Sequence, residues 1–289
     1  MEKLENLLEL REIPFTKANL HTHSTFCDGK NTPEENVLAA IKKGFKILGF
    51  SSHSLYPFWT ECNMLVADFP KYCEEIKNLK EKYKNQIEIR LGFEADYIPG
   101  ITFPCFDSYK EFRPDFLIGS VHFIFQKDGI FAVDDTPEKL FLALKKYYKG
   151  DEKLLVGDYF AAEREMLEKG DFTIIGHADL IRKFNEKHNF FDENAEWYKR
   201  ELKTLAKAIS KAGVIAEINT GAMSRGWTTK PYPSEYFLSL LCEENVPVTL
   251  SSDSHAAENI DFGFDLALSC AKKAGYSEIV VPGTGFFKI

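Results

Sequence analysis

Apolar residues fall along this chain in short runs, separated by longer stretches whose apolar positions repeat every three or four residues. The runs lie at 17–21, 45–53, 87–94, 116–122, 172–177, 214–219 and 246–255. Each is too short for a helix and nearly continuous, which is the pattern of a strand covered on both faces. The intervening stretches read as amphipathic helices. The first starts at Thr32-Pro33-Glu34-Glu35, with Thr as N-cap, Pro at the first helical position and Glu closing a capping box. It turns Val37, Leu38 and Ile41 inward and stops near Gly44. Further helices are expected over 72–84, where Ile76, Leu79 and Tyr83 share a stripe, and over 137–148, 157–169, 194–211, 233–244 and 261–274. A loop is expected from Ala95 to Pro114. Residues 1–16 read as a short amphipathic segment carrying Leu4, Leu7, Leu8 and Leu10.

Strands alternating with helices imply a parallel sheet with right-handed crossovers. No Pro- or Ser-rich linker breaks the alternation, so one domain is expected. Its parts are an N-terminal segment (1–16), a barrel (17–260), and a C-terminal helix and tail (261–289). The chain's polar residues choose between an open and a closed sheet. His21, His23, His53, Glu94, His122, His177, Asp253 and His255 all stand at or just past the C-terminal end of an expected strand. In a barrel those ends share one rim, where such folds carry their chemistry. An open sheet would spread them along an edge. The expected fold is therefore an α/β barrel of seven strands.

A His-x-His pair alone is more often an exposed strand edge than a metal site. Here, however, six of the chain's seven histidines fall on the one rim, and only His188 sits in a polar loop away from it. Asp28 follows His23 after a polar turn closed by Gly29. Glu94 ends an apolar strand, where a buried carboxylate needs a partner. With Asp28 included, nine candidate ligands converge, too many for one tetrahedral ion. Imidazole with carboxylate suits Zn, Fe or Mn and does not choose among them. Cys27 lies close to these residues but out of step with their alternation, so it is not read as a nucleophile.

Composition is that of an ordinary globular protein, with 44% hydrophobic residues and 25 Phe. The net charge of −8 argues against nucleic acid or an anionic membrane as partner, but not against a small anion met by a few cations. Six cysteines without a C-x-x-C pair read as free thiols in a reducing compartment. The first residues are acidic with no apolar leader, and no run of about 18 apolar residues occurs. A cytoplasmic protein is expected.

The set His21-x-His23, Asp28, His53, Glu94, His122, His177 and Asp253-x-His255 resembles the polymerase-and-histidinol-phosphatase (PHP) superfamily, from His21 to His255 with every ligand position filled. The stretches 92–100, 118–123 and 175–180 resemble its histidinol-phosphate phosphatase branch. One departure is Ser51-Ser52-His53, where many relatives place Asp before the histidine. The resemblance implies a distorted (β/α)7 barrel holding three divalent transition-metal ions. By it, one ion takes His21, His23, Glu94 and Asp253, a second Asp28, His53 and His177, and a third His122 and His255 with Glu94 shared. It implies hydrolysis of L-histidinol phosphate, in histidine biosynthesis, by a metal-activated water.

A phosphomonoester also calls for cations. Arg182, five residues past His177, and Arg225, after the sixth strand, both lie in rim loops, and guanidinium matches phosphate in two-pronged fashion. Lys183 and Lys230 read as surface charges. Asp253 and His255 are the candidate proton donors to the leaving alkoxide. The alternatives are a phosphoesterase of this family acting on a nucleotide or an oligonucleotide end, and a non-catalytic module. A full ligand set speaks against the latter.

Overall fold

The computed structural model describes residues 11–54, 56 and 60–289. The amphipathic segment expected over 1–16 falls largely outside the described residues. Seven parallel strands form one sheet: β1 (Ala18–Asn19), β2 (Ile47–His53), β3 (Glu88–Asp96), β4 (Phe116–Ser120), β7 (Ile174–Ile175), β8 (Ile215–Asn219) and β9 (Val248–Ser251), paired in that order. Register is parallel throughout, for example His53 beside Glu94 and Glu94 beside Ile118. The first and last strands are joined at the rim, where Thr22 bridges Ser254 and the His23 amide donates to the Ser254 carbonyl at 2.9 Å. The sheet is thus a nearly closed seven-stranded barrel. As continuous apolar runs predict, β2, β4, β8 and β9 are buried along their whole length.

Helices cover the outside. α1 (Pro33–Lys42) has the expected capping box, with the Glu35 amide donating to Thr32 Oγ1 and the Thr32 amide to Glu35 Oε2. Its inward face is Val37 and Ala40, whereas Leu38, expected inward, is 50% exposed. α2 (Phe69–Tyr83) buries Tyr72, Ile76 and Leu79 against the sheet. α3 (Pro137–Tyr148) and α4 (Glu152–Lys169) follow, and α4 starts five residues before the expected position because Asp151 caps its amides at 153 and 154. The short α5 (Asn185–His188) precedes α6 (Glu196–Ala212), the short α7 (Gly221–Ser224), α8 (Glu235–Glu243) and α9 (Phe264–Ala274). None of the described helices is long and apolar enough to cross a membrane.

Two hairpins escape the periodicity. β5 (Phe123–Gln126) and β6 (Gly129–Ala132) pair immediately after His122. β10 (Glu278–Val281) and β11 (Gly285–Lys288) pair within the stretch expected to be a tail. The second hairpin is tied to the start of the described chain, since Phe286 exchanges backbone hydrogen bonds with Arg11 and Ile13.

Candidate metal centre

The two ends of the barrel seam supply four of the nine candidate ligands, and Asn19 aligns them. Its Oδ1 accepts from the amides of His21 and Ser252, while its Nδ2 donates to Ser252 Oγ at 2.7 Å. The first and last strands are thereby clipped side by side, so His21 and His23 face Asp253. Two glycines allow the close approach. A Cβ at Gly29 would lie 2.4 Å from the Ser24 amide, inside the turn that presents Asp28. At Gly221 it would lie 2.5 Å from Asp253 Oδ2. Asp253 itself adopts a left-handed backbone at φ 44°, an uncommon conformation for a residue with a side chain.

Glu94 stands at the centre of the cluster. Its Oε2 lies 3.2 Å from His21 Nε2, 3.5 Å from His23 Nε2 and 3.1 Å from His53 Nδ1. Its Oε1 lies 3.0 Å from His177 Nε2 and 3.5 Å from His122 Nε2, and accepts from Ser120 Oγ at 2.8 Å. One carboxylate thus meets five imidazoles. Asp253 Oδ1 is 3.1 Å from His23 Nε2 and 3.6 Å from His21 Nε2. Asp28 Oδ2 is 3.1 Å from His255 Nε2, and its Oδ1 is 4.0 Å from His53 Nε2. All nine candidate ligands come together.

Their chemistry fits metal ions. Among the described residues, His21 Nε2, His23 Nε2, Asp28 Oδ1 and Glu94 Oε2 are buried without a hydrogen-bond partner, though polar atoms in protein interiors are ordinarily paired. Among the described residues, three groups bring their donor atoms within 4.8 Å of one another: His23, Asp28, His53 and His255; His21, His23 and Asp253; and His53, Glu94 and His122. Burial pushes the Glu94 carboxyl up, but His53, His21 and His122 outweigh it and hold the group well below its usual range. Burial acts likewise on Asp253, outweighed by Arg225 and His21. Burial drives His23 down to about 3, so that its ring is neutral and its lone pair available.

The geometry corrects the division of ligands that the family resemblance implied. Asp28 and His53 are joined by His255 rather than His177. His177 instead faces Glu94, with its ring centroid 4.9 Å from that of His122. The two histidines exchange places because β7 lies next to β4, across the barrel from the turn that carries Asp28.

Outer partners orient these rings. Glu217 Oε2 accepts from His21 Nδ1 at 2.9 Å, and its Oε1 accepts from the His177 amide at 2.8 Å and from Asn219 Nδ2 at 2.7 Å. Asp96 Oδ1 lies 2.7 Å from His122 Nδ1, and its Oδ2 accepts from the Tyr56 hydroxyl. His53, whose preceding residue is Ser52 rather than Asp, has the Tyr56 hydroxyl 3.5 Å from Nδ1. Glu217, Asp96 and Tyr56 were not singled out from the sequence. Glu217 was findable there, because it breaks an apolar strand as Glu94 does.

The two candidate arginines part company. Arg225 lies at the cluster, with Nη2 3.0 Å from Asp253 Oδ2 and Nη1 2.8 Å from His255 Nδ1, and its side chain remains 29% exposed. Arg182 is turned away and 8% exposed. It donates to Glu193 at 3.0 Å and to the Pro231 carbonyl, and it lies over the Tyr232 ring. The phosphate contact expected of Arg182 is therefore not one this geometry supports. Lys183, read as a surface charge, is nearly buried, with Nζ 3.1 Å from Asp134 Oδ2. Lys230 is exposed, as is His188. Cys27 Sγ is 3.5 Å from His23 Nδ1, and burial pushes its thiol up to about 11, so it is no thiolate at neutral pH.

A parallel barrel with imidazoles and carboxylates gathered on its C-terminal rim defines the metal-binding (β/α)-barrel class. Within that class, the chain belongs to the PHP family, and there to its histidinol-phosphatase branch, with residues 19–221 matching the PHP domain. It is 30% identical over 276 residues to a Schizosaccharomyces pombe protein named "Probable histidinol-phosphatase", covering 90% of this chain and 87% of that one. It is 26% identical to the Bacillus subtilis protein named "Histidinol-phosphatase", covering 87% and 98%. The crystal structure of the Lactococcus lactis histidinol phosphate phosphatase, solved with zinc, L-histidinol and phosphate, superposes with a TM-score of 0.73 at 23% identity, over 94% of this chain and 98% of that one. That likeness shows the fold.

Proposed function

We propose that this protein is a metal-dependent phosphomonoesterase that hydrolyses L-histidinol phosphate to L-histidinol and phosphate in the cytoplasm. The observation that carries the reading is the cluster around Glu94, where five imidazoles face one buried carboxylate and several donor atoms have no hydrogen-bond partner among the described residues. The names of the relatives support the substrate.

Three ions would be held by His21, His23, Glu94 and Asp253; by Glu94, His122 and His177; and by Asp28, His53 and His255. Divalent zinc, iron or manganese so held supplies an acidified water, whose pKa falls from 15.7 toward about 7, and neutralises phosphoryl oxygens. The chain's own groups do the rest. Arg225 donates to the carbonyl and the carboxylate of Asp253 and presents a partly exposed guanidinium to the phosphate. Asp253, at the cluster between His21 and His23, is the first candidate to pass a proton to the leaving alkoxide. His255, with Nδ1 3.5 Å from Asp253 Oδ1, is the second candidate for that transfer.

The test is phosphate release from a panel of monoesters, with elemental analysis of the same preparation. L-histidinol phosphate should exceed glycerol phosphate in kcat/KM by more than about tenfold, equivalent to about 1.4 kcal/mol in the transition state. Metal content should approach three equivalents. Preference for a nucleotide or an oligonucleotide end would replace the substrate, and a stable content near one after reloading would overturn the three-ion site.

A further inference from the structure

The carboxylates around the cluster are nearly all spoken for. Glu94, Asp28 and Asp253 face histidines, Asp96 holds His122 and Tyr56, and Glu217 holds His21, a backbone amide and Asn219. Asp134 is different. It follows the β5–β6 hairpin, and the neighbouring Val133 amide donates to the His122 carbonyl at 2.9 Å, so its place beside that histidine is set by the backbone. From the other side comes Lys183, reached from His177 by two successive turns, with the Leu180 amide on the His177 carbonyl and the Lys183 amide on the Leu180 carbonyl. The Lys183–Asp134 pair therefore spans the gap between the loops that leave two rim histidines.

Within that pair the contacts are one-sided. Lys183 Nζ lies 2.6 Å from the Asp134 carbonyl and 3.1 Å from Oδ2. Oδ1 makes no hydrogen bond among the described residues, and the side chain is 24% exposed although the Lys183 side chain is only 10% exposed. A carboxylate offers about four acceptor positions, so this one has capacity left on its open edge. The Val133 bond to the His122 carbonyl and the grip of Lys183, two turns past His177, set that open edge at the rim between the loops that leave these two histidines.

We propose that Asp134 is a specificity-determining residue that receives the ammonium group of the substrate, so that the site selects phosphomonoesters of vicinal amino alcohols. This deepens the reading given above and rests on it. In such an ester the amine sits on the carbon next to the phosphate-bearing one, so its acceptor must lie close to the phosphate site. Asp134, held by Lys183 at the rim between the loops that leave His122 and His177, meets that requirement. Lys183 steadies the carboxylate by gripping one oxygen and the adjacent carbonyl, and leaves the other oxygen for the ligand.

The experiment compares Asp134→Asn with wild type on matched esters with and without the amine. The first match is L-histidinol phosphate against 3-(imidazol-4-yl)propyl phosphate, and the second is 2-aminoethyl phosphate against ethyl phosphate. Wild type should favour the amine-bearing member of each pair. Asp134→Asn should lose about ten- to a hundredfold in kcat/KM on the amine-bearing esters and change little on the others, because the lost contact involves only the ammonium. An equal loss on both members, or an unchanged ratio, would overturn the proposal and leave Asp134 a structural partner of Lys183. Should Asp134→Asn not fold, Asp134→Ser is read in the same way. Inactivity of the wild type on histidinol phosphate alone would refute the substrate reading, while the shorter pair still decides the role of Asp134.

Discussion

Changing Glu217 to Gln tests how the site prepares His21, and the hydrogen-bond geometry states the outcome in advance. Glu217 Oε1 receives two donors, the His177 amide and Asn219 Nδ2, while Oε2 receives His21 Nδ1. In Gln one oxygen becomes an NH2 group. Turning that group toward the His177 amide and Asn219 would set donors against donors and leave buried groups unpaired, at about 1–3 kcal/mol each. The amide must therefore place its oxygen there and its NH2 toward His21. His21 Nδ1 then becomes an acceptor, the ring proton moves to Nε2, and Nε2 can no longer bind a metal. Loss of an outer orienting partner of this kind lowers metal affinity about 10- to 100-fold, or about 1.4–2.7 kcal/mol. The assay is competition with a chelator, reading the metal retained by elemental analysis. One ion of the set should leave at about 10- to 100-fold lower competitor strength. The chelated protein should melt close to chelated wild type, since the backbone contacts survive. A retention curve identical to wild type would refute the claim that Glu217 sets the His21 tautomer.

Three further outcomes follow from groups outside that contact. Arg225→Ala removes a charge-assisted contact of about 1.5–3 kcal/mol, so kcat/KM should fall about ten- to a hundredfold; an unchanged kcat/KM would show that the guanidinium does not meet the phosphate. Glu163 is fully buried on α4, with Oε1 accepting from Tyr159 at 2.7 Å and Oε2 unpartnered among the described residues, and burial raises its pKa well above 4.5. A carboxyl with a raised folded-state pKa contributes stability that is complete below its unfolded value and lost as pH rises toward the folded one. The urea midpoint of Glu163→Gln relative to wild type should therefore climb from pH 5 to pH 8, and a pH-independent difference would contradict this. His188 is exposed at the end of α5, with its ring beside Phe190. His188→Ala should keep turnover within a few-fold, whereas His177→Ala should abolish it in a protein that still folds.

What the sequence could say depended on whether a residue's role follows from its place on a strand. Residues at strand ends were legible, because closure of the sheet converts a repeated position along the chain into a shared position in space. His53, Glu94, His122 and His177 lie far apart in sequence for that reason, yet touch. Residues in the loops were not, because a rim loop fixes where a side chain starts but not where it turns. Arg182 and Lys183 are neighbours, and one turns into the protein against Glu193 while the other turns toward Asp134. The β5–β6 hairpin was missed because its apolar runs, 123–125 and 130–133, are only three and four residues long. Asp96 was missed because β3 continues two residues beyond Glu94, where a loop was expected.

The barrel seam makes the site a late event in the life of the chain. β1 is two residues long, and its link to the last barrel strand runs through Asn19 and the single Thr22–Ser254 bridge. The centre straddles that join, with His21 and His23 on one side and Asp253 and His255 on the other. As the chain leaves the ribosome, the first two ligands emerge long before the last two, and the loop between them is costly to close until strands β2 to β8 have ordered the path. Ions bound across the join would act as a removable clasp between the two ends of the polypeptide. Metal supply would then govern how firmly a newly made molecule stays shut, as well as whether it can react.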